Sequence, residues 1–138
     1  MVGDFVLDAS VTAAWRFHDE ASDASNALRR SLAHNTAVVP RLWHLESANM
    51  LLIAERRRRI SPARCTELLD FLSALPIRTE DEYRRAHNPV LHLARKHRLT
   101  IYDAVYLDLA LQQTLPLATR DNDLQRTAKS AGVELLRT

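Results

Sequence analysis

The chain reads as a single α/β domain with a largely parallel central sheet of four to five strands flanked by helices. Three observations predict this. Short apolar runs alternate with longer stretches at helical spacing, as in strands joined by crossover helices. The 138 residues suit one core of ordinary size, and the 46% hydrophobic content is that of a folded protein. No internal repeat, low-complexity tract or linker divides residues 1–138.

The elements follow in order. Phe5, Val6 and Leu7 give a first strand over Asp4 to Leu7 that runs straight into Asp8, and Ser10 opens a helix that continues from about Val11 to His18. A helix over Ser22 to Ala33 precedes a second strand, Ala37 to Val39. Helices over Leu42 to Arg58 and Pro62 to Ala74 lead to a third strand at Ile77 to Thr79. Two more helices, Glu82 to His97 and Tyr102 to Gln113, precede the fourth strand, Leu117 to Thr119. A helix from Asn122 to Ser130 and a fifth strand, Val133 to Leu135, complete the reading. In such a fold ligands bind beyond the carboxyl ends of the strands, where the loops converge.

Composition narrows the function classes. The formal net charge is only +2, yet 17 Arg and 2 Lys supply the positive charge. Arginine suits phosphate because its planar fork binds two oxygens at once, so nucleic acid is permitted as a partner without being demanded. The single cysteine, Cys65, excludes an internal disulfide and any Cys-rich zinc site, and its apolar neighbours at helical spacing predict burial. The segment MVGDFVLD has no basic stretch followed by a long apolar run. No later run reaches the roughly 18 apolar residues of a membrane span, which predicts a soluble, cytoplasmic protein. With only Gly3 and Gly132, a glycine-rich phosphate loop is absent.

The acids carry the chemistry. Asp8 ends the first strand, where it either caps the coming helix or serves a reaction. In LATRDNDL, Asp121 and Asp123 follow the fourth strand and should face the same edge as Asp8. Asp103, in LTIYDAVYL, sits in a first turn where Thr100 can act as N-cap, a variant of the capping box. Glu46 shares a helix face with Trp43, Met50 and Ile53, and Asn49 follows about one turn on. A carboxylate on an apolar stripe must be paired, protonated or bound to a metal; the plainer alternative is a partly exposed Glu beside Arg41 or Arg56. Gathered at one edge, these acids would repel one another unless a divalent cation removed the conflict, and oxygen-only ligands favour Mg²⁺ or Mn²⁺ over zinc.

Four segments in this order, VLDASV, LWHLESANML, LTIYDAVYLDLA and PLATRDNDL, resemble the PIN-domain ribonucleases, and among them the VapC-type toxins of toxin–antitoxin pairs. The resemblance covers nearly the whole chain. It implies a parallel sheet flanked by helices and Mg²⁺- or Mn²⁺-dependent endonuclease activity on RNA, acting as a toxin that inhibits translation and growth. Carried over by position, it makes Asp8, Glu46 and Asp103 the regular acids and Asp121 the fourth, with Asp123 sharing or replacing it. Ser10 and Thr119 match small hydroxyl residues that line such a site. A homodimer and a small cognate antitoxin are the partners it implies.

Other features are set beside this reading. The run Arg56 to Arg59 suits a solvated helix end, or a contact with RNA or an acidic partner; Arg84, Arg85, Arg95, Lys96 and Arg98 offer a second basic surface. His87, His92 and His97 recur every five residues and so share no helix face. Trp15 and Trp43 suit a core or dimer interface, and Asp108 should point away from Asp103. Two rivals stand against the nuclease: a non-catalytic binding module whose acids are caps, and a phosphotransferase with Asp8 as nucleophile. The second wants an Asp at position 10, which is Ser, and a receiver-type domain wants a lysine where Arg120 stands.

Overall fold

The computed structural model describes residues 3–81 and 83–138. Four strands, β1 (Phe5–Leu7), β2 (Ala37–Pro40), β3 (Ile77–Glu80) and β4 (Leu117–Ala118), form a sheet in the order β3-β2-β1-β4. Every pairing is parallel, with Val6 opposite Val38 on one side and Leu117 on the other. β1 and β2 are buried along their whole length, as strands covered on both faces must be, and their unbroken apolar sequence follows from that.

The helices are α1 (Ala9–Arg16), α2 (Asp23–Ser31), α3 (Arg41–Arg56), α4 (Pro62–Ser73), α5 (Pro89–His97), α6 (Ile101–Gln113) and α7 (Asn122–Ala131). Several starts are written locally: Ser22 and Ser25 form a capping box, Ser61 caps α4 ahead of Pro62, and Thr100 caps α6. α6 is buried over most of its circumference, through Ala104, Tyr106, Leu107, Leu109 and Ala110, and lies against β1 and β2. The two tryptophans are core residues with satisfied N–H groups: Trp43 donates to Thr12 Oγ1 at 3.0 Å and Trp15 to the Ser25 carbonyl at 2.8 Å. Cys65 is buried, as its spacing predicts. Among the described residues, no helix is long and apolar enough to cross a membrane.

Two elements differ from the sequence reading. The stretch Val133 to Leu135 makes a single bridge, Leu117 to Leu135, rather than a strand. β4 has only two residues, because Thr119 then turns its hydroxyl toward Asp8 and Asp121 caps α7, so no ladder extends alongside. The long helix expected over Glu82 to His97 is a 3-10 turn over Tyr83–His87 followed by α5; its expected start at Glu82 lies outside the described residues. Pro89 explains the break: it has no N–H to donate and disfavours a helical residue before it, and Asn88 takes φ −143° and ψ −81°.

The order of strands fixes where a site can be. The chain lays β2 and β3 outward on one side of β1, then returns to place β4 on the other, so the direction of winding reverses between β1 and β4. Beyond the carboxyl ends of those two strands a crevice opens, and Asp8 and Thr119 are the first residues past them.

Away from that crevice, the buried Asp108 of α6 accepts two bonds from Arg85, at 2.8 and 2.9 Å, and one from Gln112. This pair ties the 3-10 turn to α6. Replacing Arg85 by Met leaves a buried carboxylate without its cation and should lower folding stability by about 2–3 kcal/mol in urea denaturation.

Candidate active site

Asp8 stands at the N-cap position of α1 with φ −82° and ψ 145°, yet its side chain makes no cap hydrogen bond. Its Oδ2 accepts two hydroxyls instead, Ser10 Oγ and Thr119 Oγ1, each at 2.7 Å. Ser10 belongs to the first turn of α1 and Thr119 follows β4, so the carboxylate is held from both sides of the crevice. Each hydroxyl also accepts a backbone N–H, Ser10 from Arg120 at 2.9 Å and Thr119 from Asp121 at 3.1 Å. Those N–H groups leave the hydroxyl hydrogens pointing at Asp8. Burial to 6% exposure raises the Asp8 pKa, the Thr119 and Ser10 hydroxyls lower it, and the charge of Asp121 raises it again.

Glu46, half-buried on α3, accepts a hydrogen bond from the phenol of Tyr106 at 2.6 Å. Burial raises its pKa, Tyr106 partly offsets that, and Asp8 and Asp103 raise it further. The fully buried Tyr106 is itself shifted strongly upward, by burial first and then by Asp8 and Glu46, so it stays protonated and donates. Asp103 occupies the first turn of α6, where its backbone N–H is capped by Thr100 Oγ1 at 3.1 Å. Its pKa is pushed up to about 6, by burial first, then by Asp121 and Asp8, with the Thr100 bond lowering it and Asp123 adding a last repulsion.

Asp121 is the N-cap of α7, its Oδ1 accepting from the Leu124 N–H at 2.8 Å. Asp123 lies one step outward, with its side chain 66% exposed and paired to Arg126 at 3.0 Å. Asn49 is exposed and lines, with Glu46, Glu20, Arg57 and Arg59, a groove of about 350 Å³. The fold thus brings Asp8, Glu46, Asp103 and Asp121 to one edge and leaves Asp123 at its margin. Glu46 pairs with neither Arg41 nor Arg56: Arg41 is bonded to Asp81 at 3.3 Å. Asp108 lies outside this group, on Arg85.

Tyr106 and Arg120 were not singled out for this site in the sequence. Tyr106 had a signal, since it stands three positions after Asp103 on one helix and therefore on nearly the same face. Arg120 had none. Its backbone steadies Ser10, while its guanidinium donates to the Glu20 carbonyl and to Ser22 Oγ, at 3.2 Å, clamping the loop after β4 to the start of α2.

The donor set suits a hard divalent cation. It is made of oxygen alone and carries an excess of negative charge that the protein does not neutralise. Among the described residues no group of three or more acidic side chains is arranged to hold a metal ion. Mg²⁺ and Mn²⁺ do not require one, since such ions keep several waters and use one or two carboxylates.

Comparison with known proteins agrees with this architecture. The model of the PIN domain family matches residues 5–130. No curated protein matches the chain significantly. Among solved structures, PAE2754 from Pyrobaculum aerophilum is similar over 92% of this chain and 86% of its own, with 24% identity and a TM-score of 0.70. VapBC2 from Rickettsia felis, solved bound to a DNA fragment from its promoter, has 14% identity over 96% of each chain and a TM-score of 0.68. VapC20 from Mycobacterium tuberculosis, a sarcin–ricin loop cleaving toxin, has 14% identity over 97% of this chain and 99% of its own, with a TM-score of 0.67.

Burial of Asp103, with the acids crowded around it, has a measurable consequence. The folded-state pKa of Asp103 is about 6, above the ordinary 3.8. The contribution of this group is therefore most favourable below the unfolded value and is lost as pH rises through the folded one. Without a divalent cation, the protein should lose stability between about pH 4 and pH 6. Asp103→Asn should flatten that fall and raise stability at neutral pH by about 1 kcal/mol, after discounting for the screening of a half-buried group. Thermal melts across this range in chelator check it.

Proposed function

The chain belongs to the PIN-domain family, and from that membership and the gathered carboxylates we propose that it is a metal-dependent endoribonuclease, the VapC-type toxin of a toxin–antitoxin pair. The observation that carries the reading is the placement of Asp8, Glu46, Asp103 and Asp121 at the switch point of a parallel sheet, where burial and neighbouring acids raise the pKa values of Asp8, Glu46 and Asp103. Asp8 adds weight, because its carboxylate is held by two hydroxyls and does not act as a helix cap.

In this reading Asp8 and Asp103 hold a divalent cation, Mg²⁺ or Mn²⁺, and Glu46 and Asp121 bind it through water or orient the attacking water. When bound, the cation offsets charge on the phosphoryl oxygen and makes a water acidic enough to attack at neutral pH. Ser10 and Thr119 fix Asp8 and favour its ionised form. Glu46, anchored through Oε1 by Tyr106, orients the water and takes its proton. The water oxygen bonds to phosphorus, the bond from phosphorus to the 3′ oxygen breaks, and that oxygen takes up a proton. The products are a 5′-phosphate and a 3′-hydroxyl. Asn49 borders the path of the strand, and Asp123 contributes charge from the margin.

The shared fold with VapBC2 and VapC20 supports the toxin assignment, with RNA cleavage in the cytoplasm stopping translation and growth. A small antitoxin would cover the acids, and a second copy of the chain would complete a homodimer. Exposed Leu45, Leu52 and Ile53 on α3 and Tyr102 on α6 offer apolar surface for such contacts.

The test is cleavage of total RNA by purified protein with Mg²⁺ or Mn²⁺, with chelator, and with variants. Discrete fragments that require metal are expected. Asp8→Asn and Asp103→Asn should each lower the rate by more than about 100-fold with the fold intact by circular dichroism, and Tyr106→Phe by about tenfold. Unchanged rates in both Asp variants would remove the acids from the reaction.

A further inference from the structure

The opposite end of α1 carries a cluster that the acidic edge does not use. Arg16, the last residue of α1, lays its guanidinium over the Phe71 ring of α4, 3.6 Å from the centroid. Its Nε is buried and has no hydrogen-bond partner among the described residues. Arg29 of α2 and Arg64 of α4 join it around a hollow of about 520 Å³. Burial first, then repulsion from Arg29 and Arg64, pulls the Arg16 pKa down to about 10. Arg64 is bonded to Glu67 at 3.0 Å, but neither Arg16 nor Arg29 has a carboxylate partner among the described residues.

Three guanidinium groups around one hollow, two of them without an acid, make a site that an anion would stabilise. The contact with Phe71 holds the Arg16 guanidinium in place, and a guanidinium so held presents a fork of donors that suits phosphate oxygens. Phe17 separates the hollow from the groove beside Glu46 and lines both. Asp8 and Arg16 bracket α1, and eight residues of helix span about 12 Å. A stacked strand rises about 3.4 Å per nucleotide, so that length is three to four nucleotides.

We propose that the hollow formed by Arg16, Arg29 and Arg64 seats a backbone phosphate of the RNA strand, three to four nucleotides from the bond that is cut. This inference rests on the nuclease reading and adds a second anchor to it. The short span of α1 between Asp8 and Arg16 favours a strand that already lies across the acids over an acidic peptide bound separately.

The experiment measures binding of a fluorescent single-stranded RNA dodecamer, in chelator, to wild type, to Arg16→Gln/Arg29→Gln, and to Arg29→Gln alone, which leaves the stack on Phe71 in place. A hexaglutamate peptide is run in parallel, and circular dichroism checks folding. The double variant should bind RNA about tenfold more weakly, with the slope of log affinity against log salt reduced by about one to two, and Arg29→Gln should show part of both effects. RNA affinity and salt slope equal to wild type in both variants would overturn the proposal. So would loss of hexaglutamate binding with RNA binding intact, which would assign the hollow to an acidic protein. A wild-type chain that neither binds nor cleaves RNA would remove the nuclease reading, and the phosphate seat with it.

Discussion

A carboxylate buried at the end of the central strand is the constraint around which the surrounding chain is arranged. Asp8 follows β1 directly, so its backbone is still in the sheet, with its N–H bonded to the Ala118 carbonyl at 3.0 Å. An ionised acid at 6% exposure is tolerable only with donors aimed at it. Ser10 reaches it because α1 starts at once, and Thr119 because β4 is the parallel neighbour of β1 and ends in register with it. A longer β4 would carry Thr119 into the ladder, and the fixed position of Asp121 after it would be lost. The shortness of β4 and the abrupt start of α1 are thus two consequences of holding one side chain.

The remaining acids reach the same edge by a different route. Asp103 and Asp121 stand at the starts of α6 and α7, where the helix N-terminus favours negative charge and a local cap fixes the turn. Glu46 has no such support and relies on Tyr106, sixty positions along the chain. Each acid is held individually, yet burial first, and then repulsion from neighbouring acids, raises the pKa values of Asp8, Glu46 and Asp103. A fold selected for stability alone would have dispersed them. That it concentrates them at the switch point, with oxygen donors only, is the physical signature of a site whose missing charge arrives from outside.

Much of this was legible in the sequence because the signals were local. The apolar run Phe5 to Leu7, the Ser and Thr caps and the prolines at helix starts mark elements within a few residues of themselves. Asp8, Asp103 and Asp121 could be placed at strand ends and helix starts by the same means. What the sequence hid is tertiary. Whether Asp8 caps α1 is decided by Thr119, more than a hundred residues later, and the partner of Glu46 by where α6 brings Tyr106. The break before Pro89 was local and legible in principle, but the helical spacing around it masked the proline. The fifth strand failed for the converse reason: Val133 to Leu135 has strand character, but β4 offers only one residue to bridge.

Charge is also segregated along α1 in a way that net charge conceals. A formal total of +2 looks nearly neutral. Yet the acids gather at the N-terminal end of this helix and Arg16, Arg29 and Arg64 at its C-terminal end, each group unfavourable to itself. The helix dipole favours this arrangement at both ends but is worth only about 0.3–1 kcal/mol at each, too little to impose it against like-charge repulsion. The same polarity would orient a polyanion, with one phosphate drawn to the arginines and another admitted among the acids only when a cation is present. Affinity and reaction would then be located at opposite ends of one helix, so that binding strength could be set by the arginines without altering the geometry around Asp8.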